Sequence, residues 1–361
     1  MTKLKSIILH IGPDKTGSTA IQYTLAENVD LLESCGVLYS GGTGRNDKAL
    51  ALAFSKNIRR ALSRNSGRKP KRDHGYVEKL QQRVKSSSAD HLILSHEGLI
   101  HLTAEELWAL REFLTGMSER VIVVLYARDP FSYALSAMSQ RVKTGRRAWN
   151  YYPPVIAYQN HIEQWADVFG REALDVRLFS REVFPGGDVV LDFISMSPLK
   201  EALSDLDVSK LKQPFKGNPG FSDLAIRVGD RIVAILGDAE APKGKIFKDL
   251  FFDDLSQLGS GKAELMPKQQ KRILSLSRRH TEYLAREFNI VFPELKKPVK
   301  QTTLFSERDV EALACKFIAS RLPDVRLGFL RIGWQRLKNR DFFAGARMYL
   351  GQVGSILIGK K

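Results

Sequence analysis

The chain has 361 residues, enough for one large α/β domain with elaborations or for two domains, and its 43% apolar and 9% aromatic content excludes global disorder. A formal charge of +16 makes the surface attractive to anions but does not choose among nucleic acid, acidic polysaccharide, anionic membrane and a phosphorylated nucleotide. Two cysteines far apart in the sequence, Cys35 and Cys315, support neither a disulfide framework nor a cysteine zinc site.

The basic start leads into Ile7, Ile8, Leu9, His10 and Ile11, an apolar run too short for a helix or a secretion signal and β-branched enough for a buried strand. Gly12, Pro13, Asp14, Lys15, Thr16 and Gly17 then form a tight loop, with two glycines that let a ligand approach the backbone and a lysine that can reach an anion. Ser18 and Thr19 open a helix whose apolar positions continue through Ile21, Leu25 and Leu31. Its unpaired N–H groups and positive dipole end face whatever the loop holds. In the triphosphatase phosphate loop a lysine follows the second glycine. Here Ser18 takes that place and Lys15 stands two residues before Gly17.

A short strand is expected at residues 36–39 and an ordinary glycine turn at 41–44, followed by a helix over 46–62 and a mobile basic surface loop over 64–72 that could also clamp an acidic acceptor. Leu92, Ile93 and Leu94 read as a strand leading into Ser95, His96 and Glu97. Thr103 and Glu106 have the capping-box spacing that opens the next helix. His91, His96 and His101 recur every five residues, which fits no zinc spacing. A second buried strand over 121–126 runs into Arg128, Asp129 and Pro130, and Ser136 follows eight residues after Arg128 on a helix. A guanidinium at a strand end suits a terminal phosphate, and a hydroxyl two turns along can add a hydrogen bond.

Beyond these lie a helix through Trp165 and Phe169, a strand over 174–179 and a helix over 189–194. This alternation predicts a mostly parallel sheet covered on both faces. After about residue 200 strand signals fade, and helices are expected over 222–236, 247–258, 267–288 and 307–322. An α/β domain over residues 1–295 with a helical, basic extension over 296–361 is the domain reading. Within that extension, 341–358 has the apolar spacing of an amphipathic helix. Packing on its own domain is favoured over contact with a membrane surface or a partner. No apolar run reaches the length of a membrane-spanning helix, so a cytoplasmic protein is expected.

Lys15, Thr16, Gly17, Ser18 and Thr19 after a strand, together with Arg128 and Ser136, resemble the two signatures of the sulfotransferase superfamily. Those signatures bind 3′-phosphoadenosine 5′-phosphosulfate (PAPS). The resemblance is specific over residues 6 to about 145, diffuse from there to about 295, and absent from the last sixty. It implies the sulfotransferase variant of the phosphate-loop fold, PAPS as co-substrate with no metal required, and a carbohydrate or glycolipid acceptor, as in bacterial members. Lys15 would face the bridging oxygen of the leaving nucleotide. The backbone of residues 15–19, with the Ser18 and Thr19 hydroxyls, would hold the 5′-phosphate, while Arg128 and Ser136 would hold the 3′-phosphate. Ser95, His96 and Glu97 are similar to the bacterial Ser-Ser-Glu segment, which favours Glu97 as general base, with His96 orienting or contacting the acceptor. Partial burial would raise the Glu97 pKa toward a useful range. Two rivals remain: a phosphate-loop kinase, and a nonenzymatic basic protein binding nucleic acid or anionic membrane. Neither accounts for both motifs.

Overall fold

The computed structural model describes residues 3–41, 47–56, 74–149, 154–213, 220–237, 243–259, 263–296 and 306–321. The 64–72 insertion, residues 42–44 of the glycine turn and the segment beyond 321 lie outside the described residues, as does the amphipathic stretch 341–358. By its contacts the chain divides into two compact units. The first takes in Met1–Tyr133, Val155–Asn218 and Gln270–Pro298. The second takes in Ala134–Pro154, Pro219–Gln269 and, from the last part of the chain, the helix Glu307–Ser320.

The first unit is built on five parallel strands: β1 (Ser6–Gly12), β2 (Val37–Tyr39), β3 (His91–Ser95), β4 (Val121–Arg128) and β5 (Leu174–Phe179), in spatial order β2-β3-β1-β4-β5. β1 lies at the centre, with Ile8 in register with Ile93 on one side and Ile122 on the other. All five strands point the same way, so the loop after β1, the turn after β3 and Arg128 at the end of β4 share one edge of the sheet. That edge is where parallel α/β proteins place their ligands.

Period-2 side-chain alternation splits the core into two layers. Ile7, Leu9, Val123 and Leu125 face one layer, which contains Leu107, Leu110, Ile162, Trp165 and Leu284. Ile8, Val124 and Tyr126 face the other, with Ile21, Leu25, Leu32, Val190 and Phe193. Each such fully buried aliphatic side chain contributes about 1.5–3 kcal/mol of transfer free energy, which is why β1 reads as an unbroken apolar run.

The helices carrying these side chains are α1 (Ser18–Glu27), α2 (Val29–Ser34), α3 (Lys48–Phe54), α4 (His74–Ser86), α5 (Ala104–Thr115), α6 (Pro130–Lys143), α7 (Tyr158–Phe169) and α8 (Val189–Ile194). The expected capping box at α5 is present. Thr103 Oγ1 accepts from Glu106 N at 3.3 Å and Glu106 Oε2 accepts from Thr103 N at 3.0 Å. Of the helix expected over 46–62, α3 forms Lys48–Phe54 and breaks at the extended Ser55, where the buried Glu106 carboxylate takes the Lys56 N–H at 2.6 Å; residues 57–62 lie outside the described residues. α4 is an addition to the sequence reading.

The second unit contains α9 (Asp223–Leu236) and α10 (Lys245–Ser256). α11 (Pro267–Phe288) begins there and continues into the first unit, and α12 (Glu307–Ser320) packs on α9. Within the second unit a side chain at Gly229 would strike Val142 at 2.2 Å, so α9 and the end of α6 meet backbone to side chain. The fold is thus α/β with a helical C-terminal region, and no described helix is long and apolar enough to cross a membrane.

Candidate functional site

The loop between β1 and α1 is wound tightly by its own polar groups. Thr16 Oγ1 donates to Pro13 O at 2.6 Å and Ser18 Oγ donates to the same oxygen at 3.3 Å. Both side chains are buried and turned inward, while Thr19 is exposed. Lys15 (φ 65°) and Gly17 (φ 80°) are left-handed. For Lys15 that conformation costs about 1–2 kcal/mol, an expense typical of ligand clamps. Gly17 is required twice over, since a Cβ there would also meet Val189 at 2.7 Å. Gly17 caps α1 without a side-chain bond, and the N–H groups of residues 15–19 make no hydrogen bond to any described residue. Five unpaired donors at a helix start are an arrangement that favours an anion.

Arg128 brings the second motif to the first. Its Nη1 donates to Lys15 O, across 113 residues of sequence, its Nε donates to Ser132 Oγ at 3.1 Å, and its guanidinium lies over the Phe179 ring at 5.3 Å. The Tyr158 hydroxyl accepts from Arg128 N at 2.8 Å and so fixes the strand end. The hydroxyl bonded to Arg128 is therefore that of Ser132. Ser136, half-buried, stands one turn further along α6, in the stretch belonging to the second unit.

The chain turns sharply after β3. Strand geometry stops at Ser95. His96 caps a short 3-10 turn, Glu97–His101, and its Nδ1 accepts from Gly98 N at 3.0 Å. A ring that accepts at Nδ1 carries its neutral-state proton on Nε2, so His96 can donate outward but has no free basic nitrogen. Glu97 is packed against the phosphate loop, where a Cβ on Gly12 (φ 91°) would come within 2.9 Å of Glu97 Cβ. Gln22 Nε2 donates to Glu97 Oε2 at 3.0 Å and to Ser95 Oγ at 3.1 Å, and Ser95 Oγ lies 2.8 Å from His10 Nδ1. Burial favours the neutral acid at Glu97. The Gln22 amide, the Glu97 backbone N–H and the neighbouring His96 and His10 rings outweigh it and hold the carboxyl below its ordinary range. The expected upward shift is thus reversed, because the half-buried group has donors that burial alone would not supply. Burial lowers His96 as well, against the opposing charge of Glu97.

Lys15, Thr16, Gly17, Ser18, Thr19, Arg128, His96 and Glu97 therefore gather at one sheet edge. Sequence reasoning missed Gln22, Ser132 and His10. A glutamine between Ile21 and Leu25 on a buried helix face was the available signal, since a buried amide demands partners. Among the described residues no group of three His, Cys, Asp or Glu is placed to hold a metal ion.

No protein-family model matches the chain. An uncharacterized protein of Archaeoglobus fulgidus is similar to it, at 24% identity over 200 residues, covering 55% of this chain and 53% of that protein. The chain spans about half the length of the curated relative it matches.

Proposed function

We propose that the chain is a PAPS-dependent sulfotransferase that moves a sulfuryl group to a hydroxyl, or an amine, of a carbohydrate or glycolipid acceptor. The observation that carries this reading is the bond from Arg128 to the Lys15 carbonyl, which sets the guanidinium beside the unpaired N–H groups of residues 15–19. Those groups fit a nucleotide with anionic groups at both the 5′ and 3′ positions. When bound, the donor supplies an activated sulfuryl group on a phosphate leaving group. The loop N–H groups and the Lys15 ammonium stabilise charge growing on the leaving oxygen, and Arg128, with a hydroxyl from α6, holds the terminal phosphate. Glu97 takes the acceptor proton as the new oxygen–sulfur bond forms, and His96, donating through Nε2, orients the acceptor. The commitment of His96 Nδ1 to Gly98 supports Glu97 as the base.

The test is stabilisation by adenosine 3′,5′-bisphosphate without magnesium, followed by transfer of radiolabelled sulfate from PAPS to fractionated cell glycans. A melting shift with magnesium–ATP alone would point to a kinase. Salt-dependent retention on DNA with no response to the bisphosphate would point to a nonenzymatic basic protein.

A further inference from the structure

Gln22 is 4% exposed, on the face of α1 that also buries Ile21 and Leu25. An unpaired amide there would be destabilising, yet this one is fully engaged as a donor. Its single nitrogen carries two hydrogens, one for Glu97 Oε2 and one for Ser95 Oγ. A carboxylate only accepts, so Glu97 sets the orientation of the amide. The arrangement that uses every proton then has Ser95 donating to His10 Nδ1, which leaves the His10 Nε2–H without a hydrogen-bond acceptor, on a ring in T-shaped contact with Tyr126 and Phe193. A buried chain of polar groups thus runs from the centre of the sheet to the loop mouth and ends on one carboxylate.

We propose that Gln22 is a positioning residue of this site: its amide holds Glu97 Oε2 against the end of β3, so that Oε1, which no described side chain engages, faces the acceptor. This rests on the sulfotransferase reading above. The ionisable groups facing Glu97 are His10 from β1, His96 from its own turn and Tyr39 from β2, with Lys48 beyond His96. Burial holds His10 at about 4 and pulls His96 below its ordinary value, so both rings are neutral near pH 7. Gln22 is then the nearest fixed donor from another element.

The test follows the titration of Glu97 in the full chain labelled with δ-¹³C glutamate, the Glu97 resonance being the one lost in Glu97→Gln. The expected wild-type midpoint lies below the ordinary glutamate range. Gln22→Met keeps length and volume but removes both hydrogen bonds, and should raise the midpoint by about one pH unit. Turnover at saturating PAPS should fall roughly tenfold, with bisphosphate affinity unchanged. Equal midpoints in wild type and Gln22→Met, or a wild-type midpoint above the ordinary range, would overturn the proposal. If Gln22→Met does not fold, Gln22→Asn, one methylene too short to reach, gives the same comparison. A wild-type protein that ignores the bisphosphate, while Glu97 still shifts in Gln22→Met, would end the sulfotransferase reading and leave the Gln22–Glu97 link standing.

Discussion

Two carboxylates flank Ser95, and their surroundings pull them in opposite directions. Asp47, just before α3, is 1% exposed. Its Oδ1 accepts from Ser40 Oγ and from the Tyr76 hydroxyl at 2.9 Å, and its Oδ2 accepts from Ser95 N at 2.5 Å. Burial nonetheless pushes its pKa up to about 6, against Ser40, Ser95, Tyr76 and the charge of Arg83. Glu97, on the other side, is only half-buried and is held down. The difference teaches that depth of burial decides whether a carboxylate's donors keep it ionised. Asp47 is fully buried and its donors lose to desolvation, whereas at the half-buried Glu97 the Gln22 amide, the backbone N–H and the nearby imidazoles win. Asp47 is accordingly a brace for the end of β3, and Glu97 is a carboxylate kept charged at the sheet edge.

The sharpest way to break this comparison is to neutralise each side. Glu97→Gln should lower turnover by on the order of 10²–10⁴ while leaving bisphosphate affinity nearly unchanged, read by steady-state sulfate transfer and calorimetry. Near-normal turnover there, with collapse in His96→Asn, would move the base to His96.

The loop adds a second contrast. On the sulfotransferase reading, Lys15→Ala should lower turnover by on the order of 10²–10³ even at saturating PAPS, because the ammonium would face charge that grows in the transition state. Arg128→Ala should weaken bisphosphate binding by roughly 10–100-fold with saturated turnover largely kept. Full rescue of Lys15→Ala by PAPS would erase the distinction.

On the Asp47 side the readout is stability. Its folded pKa of about 6 lies above the ordinary 3.8, so the folded state holds an extra proton between those values and stability falls as pH rises through them. Asp47→Asn removes that cost, so its stability relative to wild type should improve by up to about 3 kcal/mol between pH 4 and pH 7, measured by urea unfolding. His10 carries the opposite sign. Burial takes it from 6.5 to about 4, against the charge of Glu97, so its contribution is complete above pH 6.5 and is lost as pH falls toward 4. A pH-independent difference between Asp47→Asn and wild type would show that Asp47 titrates normally. The smallest effect belongs to the cap: Thr103→Ala should cost about 1 kcal/mol in unfolding free energy, with site titrations unmoved.

Much of the frame was legible because its signals are local. Apolar runs marked β1, β3, β4 and β5, Thr103 and Glu106 marked the start of α5, and the lysine–glycine–serine order marked the loop. What escaped was set by contacts between distant segments. α3 stops where Glu106, some fifty residues on, captures the Lys56 N–H. The chain turns into a 3-10 helix at Glu97, just past β3, where the His96 side chain captures Gly98 N. Gln22 and Ser132 gain meaning only once the Glu97 carboxylate and the Arg128 guanidinium stand beside them. No periodicity encodes the strand order β2-β3-β1-β4-β5 either, since it depends on which edges each crossover reaches.

Gly12 links the two halves of the proposed chemistry. A methyl group at that position would press on Glu97 at 2.9 Å and on the loop's own Asp14 N at 3.3 Å, and its φ of 91° already disfavours any L side chain. On the sulfotransferase reading, any side chain at position 12 would therefore disturb the base and the donor loop together. A loop library scored on donor affinity alone would not separate the two effects.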